Sequence, residues 1–178
     1  MLQPFEFNED LAIETILYIT NRVNSPTFHR ISKIMYFADK IHLEKYGRFI
    51  CGDNYVAMKH GPVPSGTYDI LKAVRFNLFP SIFPSIKEKV TEAFGVTNYT
   101  ITPYRDADID QFSDSDLECL DYAIEKYGDK TFGELTYLSH DDAWNTTDEN
   151  EFIDIEQIVA TFSDASDLLE HLNDPYPG

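Results

Sequence analysis

Apolar residues recur at three- and four-residue spacing through Ile31, Ile34, Met35, Ala38, Ile41 and His42. That spacing predicts a helix over about 27–46 with a wide buried stripe, the mark of a central element. Gly47 stops it, because glycine adopts the left-handed conformation that closes a helix. Tyr55 to Lys59 alternates as a short strand, with Tyr55 and Ala57 on one side and Val56 and Met58 on the other. His60-Gly61-Pro62-Val63-Pro64 follows as a rigid corner, since proline fixes its own φ and holds the preceding residue extended. Pro64 suits the first turn of a helix running through Tyr68, Leu71 and Val74 to about Arg75.

Asn8 caps a first helix whose apolar stripe is Ile13, Ile16, Leu17 and Val23, and Asn24-Ser25-Pro26 stops it. Phe76 to Pro84 is apolar but carries two prolines, which excludes a helix interior and favours an irregular segment packed on the core over an exposed patch. Tyr99 to Tyr104 alternates as an edge strand, expected to pair with Tyr55–Lys59 in a small antiparallel sheet. Ser113-x-x-Asp116 opens a helix to about Tyr127, closed by Gly128, and Thr131-x-x-Glu134 opens another to about Ser139. Asp154 caps a last helix over about 155–172, ahead of a frayed tail from Asn173. The expected fold is therefore α+β and mainly α, with about six helices around a central one and a small antiparallel β-sheet.

The segments YFADKIHLEKYGR, GDNYVAMKHGPVPS and TYDIL, with the later LSHDDAWNTT, resemble the Panacea (SocA-like) antitoxin domain, a family also described as phage-associated GepA-like proteins. They lie in matching order over about 13–147 of a chain read as one domain, 1–178. The resemblance implies a prophage or phage-defence setting and the non-toxic partner of a toxin–antitoxin pair. It further implies neutralisation of a cognate toxin protein, encoded by an adjacent gene, through direct binding and without catalysis or cofactor. The runner-up is a proteolytic adapter that delivers the toxin to an AAA+ protease; toxin lifetime in cells separates the two.

A length of 178 residues favours one domain, and 43% hydrophobic with 14% aromatic content excludes disorder. No apolar run spans a bilayer, and MLQPFEFNED has no leader pattern, so a cytoplasmic protein is expected, away from membranes. Cys51 and Cys119 form no CxxC pair or disulfide framework. Charge is lopsided: residues 1–105 hold 12 Lys+Arg and 10 Asp+Glu, whereas 106–178 hold 2 and 21. The balances of +2 and −19 disfavour nucleic acid and fit either solubility or the attraction of a basic partner.

A third reading, a metal-dependent hydrolase, would gather His42, His60 and His140 with Asp39, Asp141 or Asp142. No HExxH or other compact ligand spacing supports it. His140 reads instead as an imidazolium closing a helix, Asp141 and Asp142 as solvated loop carboxylates, and His42 as a hydrogen-bonded core histidine. Cys51 reads as a small hydrophobe, and Trp144 as an anchor pinning its loop against the helices. The residues expected to meet the partner are Lys59, His60, Gly61, Pro62, Pro64 and Tyr68 around the corner. Asp106, Asp108 and Asp110 in the acidic loop complete the set.

Overall fold

The computed structural model describes residues 5–79, 85–162, 168 and 172. The described chain runs α1 (Glu9–Thr20), α2 (Phe28–Tyr46), β1 (Tyr55–Met58), β2 (Gly61–Pro64), α3 (Ser65–Phe76) and α4 (Lys87–Ala93). It continues through β3 (Phe94–Thr97), β4 (Thr100–Pro103), a 3-10 turn at Ile109–Gln111, α5 (Asp114–Tyr127), α6 (Phe132–Ser139), α7 (Asp142–Asn145) and α8 (Ile155–Val159). The α+β, mainly α class expected from the pattern is what is observed, with two separate two-stranded antiparallel sheets.

Helix α2 is central because its apolar stripe is nearly continuous. Ile31, Ile34, Met35, Tyr36, Ala38 and Leu43 are all buried, and α1, α3, α5, α6, α8 and β2 pack around the helix. Thr27 caps it by accepting the Arg30 N–H, and Gly47 closes it at φ 78°. Ser113 with Asp116 and Thr131 with Glu134 form the two capping boxes that start α5 and α6. Asn8 caps α1 through the Leu11 N–H.

The corner after β1 is more than a turn. Gly61–Pro64 pairs antiparallel with Tyr55–Met58, so Lys59 and His60 form the tip of a β-hairpin. Two prolines argue against a strand, because each lacks a donor. They fit here because of the ladder's alternation. Tyr55 and Ala57 turn their main-chain groups to the other side, where the Ile153 N–H donates to Tyr55 (2.8 Å) and the Ala57 N–H donates to Glu151 (2.9 Å). Pro62 and Pro64 lie opposite those two residues, at positions where β2 owes β1 no donor. Pro64 ends the strand and stands at the cap of α3, just before the first helical turn expected for it.

Four more features depart from the pattern. Strand β4 pairs with β3 and not with β1, since the adjacent chain segment reaches it through a two-residue turn with Asn98 at φ 57°. The short helices α4 and α7 bury too few residues to show a period: Val90 and Ala93 in one, Ala143 in the other. Helix α8, where the expected last helix begins, closes at Val159: Thr161 and Phe162 tighten to three-residue hydrogen bonds and the Thr161 hydroxyl donates to the Ile158 carbonyl, while residues 168 and 172 are again helical. Phe76 and Leu78 are 59% and 73% exposed, so this part of the proline-rich segment is not packed as expected, while Phe79 does contact the core. Pro80–Pro84, His171, the tail from Asn173 and most of the expected helix beyond 162 lie outside the described residues. Among the described residues, no helix is long and apolar enough to cross a membrane.

Candidate protein-binding site

The hairpin is locked from below by α2. Lys33 projects inward from that helix, only 1% exposed, and its Nζ donates to the Pro62 carbonyl at 2.9 Å. Burial pushes its ammonium down to about 7, because a charge is costly to desolvate. Gly61 lies above it at φ 114°, taking up the chain reversal after the tip. A Cβ there would stand 2.4 Å from Ser139 Oγ and 2.8 Å from Lys33 Cε. Gly61, Pro62, Val63 and Pro64 are buried. Lys59 and His60 are exposed.

On the α6 side, Phe132 sits between two imidazoles. The His29 ring stacks on it at 3.9 Å, and the His60 ring meets it edge-on at 5.2 Å. His29 Nε2 is 3.0 Å from Thr136 Oγ1, which ties the start of α2 to α6. Burial, aided by Lys33, holds His29 down at about 4, so the ring is neutral near pH 7.

The third side comes from the 140–153 segment. Trp144 Nε1 donates to the Met58 carbonyl at 2.8 Å, and its ring stacks on His140 at 3.6 Å. The tryptophan is thus an anchor, as its position suggested, but its target is the hairpin. Asp141 is not a solvated loop carboxylate. It caps α7 through the Trp144 N–H and accepts from Tyr36 Oη (2.6 Å) and Lys40 Nζ (2.8 Å) on α2. His140 does close α6, but burial and nearby Lys33 lower its pKa, so no imidazolium stands at that helix end near pH 7. Asn150 and Glu151 complete the frame by bonding to Ala57.

The other expected contact residues lie elsewhere. Tyr68 is half-buried on α3, edge-on to Phe28, with Lys72 Nζ 4.8 Å from its ring centre. Asp106 pairs with Arg22, just past the end of α1, at 3.0 Å, and Asp108 caps the 3-10 turn by accepting the Asp110 N–H. The Asp108 N–H also donates to Glu14 at 2.8 Å. The acidic loop is therefore built onto α1, and the hairpin onto α2 and α6.

The Cys51 thiol is buried, pushed well above its usual range by desolvation, and partnered by Thr15 Oγ1 at 3.2 Å. His42 is a core residue bonded to the Arg48 carbonyl (2.8 Å) and Ser115 Oγ (2.9 Å). Among the described residues, no group of three or more His, Cys, Asp or Glu is placed to hold a metal.

A part of this surface had no sequence signal. Helix α6 turns Phe132, Tyr137 and Leu138 outward, 51%, 80% and 41% exposed. Periodicity places such residues in a core by default, and only the packing of Leu135 and Ser139 inward shows which face is free.

The described residues thus form a mainly helical scaffold that carries a braced hairpin tip and an exposed aromatic face. The family model described as Antitoxin SocA-like, Panacea domain matches residues 31–145, and the chain belongs to that family. No curated protein and no solved structure matches the chain. The match runs from within α2 to the end of α7, so it covers the hairpin, Lys33 and Trp144, while Asn150, Glu151 and Ile153 lie beyond it.

Proposed function

We propose that this protein neutralises a cognate toxin protein by direct binding, with the Lys59–His60 tip and the adjoining Phe132 as part of the contact. The observation that carries the reading is the bracing of the tip. Pro62 is held by Lys33, Met58 by Trp144, and Ala57 by Asn150 and Glu151, while the two tip side chains remain exposed. A loop fixed on three sides loses little conformational entropy on association, so its contacts convert to affinity more fully. Phe132 adds an aromatic anchor of the kind enriched at interface hot spots. Membership of an antitoxin family supports a toxin as the partner.

Co-expression with the product of the adjacent gene tests this. Growth should recover, and the two proteins should co-purify at fixed stoichiometry. Recovery without a complex would mean that neutralisation proceeds by another route.

A further inference from the structure

Helices α5 and α6 leave a groove of about 390 Å³ between them, lined by Lys126, Tyr127, Lys130, Glu134, Tyr137 and Leu138. Lys126 and Lys130 are the 2 cationic residues of 106–178, against 21 acidic ones, and both stand at this groove. Neither forms an ion pair among the described residues; Lys126 Nζ donates to Tyr122 Oη at 3.4 Å and lies 5.6 and 5.4 Å from the ring centres of Tyr122 and Tyr127, while Lys130 is near enough to Glu134 to help lower its pKa. The one carboxylate in the lining, Glu134, is engaged in capping α6, where it accepts the Thr131 N–H at 3.1 Å. The lining is mainly apolar, and Tyr137 and Leu138 are its exposed apolar residues, with Tyr127 half-buried beside them.

We propose that this groove docks a protein segment that pairs a carboxylate with an apolar side chain. The carboxylate would meet Lys126 and Lys130, and the apolar group would lie on Tyr137 and Leu138. The partner is assigned by charge complementarity: the two lysines of residues 106–178 are gathered at this groove, where an anionic group gains charge-assisted hydrogen bonds and a cationic one is repelled at contact. The exposed tyrosine supplies area at low entropic cost. The inference rests on the reading that the protein acts by binding a protein, and it assigns the groove one side of that interface.

The test uses two synthetic hexapeptides, acetylated and amidated, of alternating Glu and Leu or alternating Lys and Leu. Each is titrated into the isotope-labelled full chain and followed by backbone NMR shifts. The Glu–Leu peptide is expected to perturb amides around Lys126, Lys130, Tyr137 and Leu138, and the Lys–Leu peptide is not. The double variant Lys126→Glu, Lys130→Glu and, separately, Tyr137→Ala should each weaken binding about tenfold with the dispersion of the spectrum unchanged. Equal perturbation by both peptides, or shifts confined to other surfaces, would overturn the assignment. Co-purification with a toxin is read separately, so a failed complex and a failed groove give different results.

Discussion

Lys33 holds the hairpin by a single hydrogen bond from a buried ammonium, and that makes it a pH-dependent brace. Its pKa is about 7 in the folded chain against 10.5 for a free lysine, so folding disfavours the charged form. The stability linked to it is fully present above the unfolded value and is lost as pH falls through about 7. Chemical unfolding should show the wild type gaining about 1 kcal/mol per pH unit between pH 8 and 10 relative to Lys33→Met. Parallel curves for the two proteins would mean that Lys33 is not desolvated. Gly61 is the neighbouring constraint. Gly61→Ala adds a methyl at positive φ against Ser139 and Lys33, and should cost about 2 kcal/mol in the same assay. Neither residue announces its role in the sequence. Lys33 lies one residue outside a readable apolar stripe, and only the packing of the hairpin across α2 buries it.

At the scale of elements, the hairpin and the 140–153 segment form one unit. Trp144→Phe keeps an aromatic, though smaller, side chain but removes the donor to Met58, leaving a carbonyl short of its partner at a cost of about 1–2 kcal/mol. Amide exchange of Ala57 and Asn150 should quicken in this variant, while amides in the middle of α2 exchange as before. Exchange rising equally throughout would show that the segment opens only with the whole domain. Helices α1, α2, α3, α5 and α6 were legible because caps and apolar periods agree along them: Asn8, Gly47, Ser113 and Thr131 stand where they are observed to act. Strand β2 was hidden because two prolines mask a strand whose missing donors face away from β1. The pairing of β4 was misread because Phe94–Thr97 is too short to show alternation against the alternative partner Tyr55–Lys59. The tip residues Lys59 and His60 were visible beforehand; Phe132 and Tyr137 were not, since an aromatic residue on a short helix gives no sign of which way it faces.

The whole molecule carries a net charge of −17, concentrated after residue 105, yet its tip and α6 groove present Lys59, Lys126 and Lys130. The field acts over a Debye length of about 8 Å at physiological salt, and the lysines act at contact. A basic toxin carrying a local acidic segment satisfies both, and for such a partner raising salt should slow association more than it speeds dissociation. The central claim, a braced tip used for recognition, is tested most directly by measuring toxin affinity and thermal unfolding together for Lys59→Ala and His60→Ala. Both substitutions leave Gly61, the prolines and the supports from Lys33 and Trp144 in place. Affinity should fall about tenfold or more with the melting temperature nearly unchanged. Unchanged affinity, or affinity lost only in step with the melting temperature, would contradict the account.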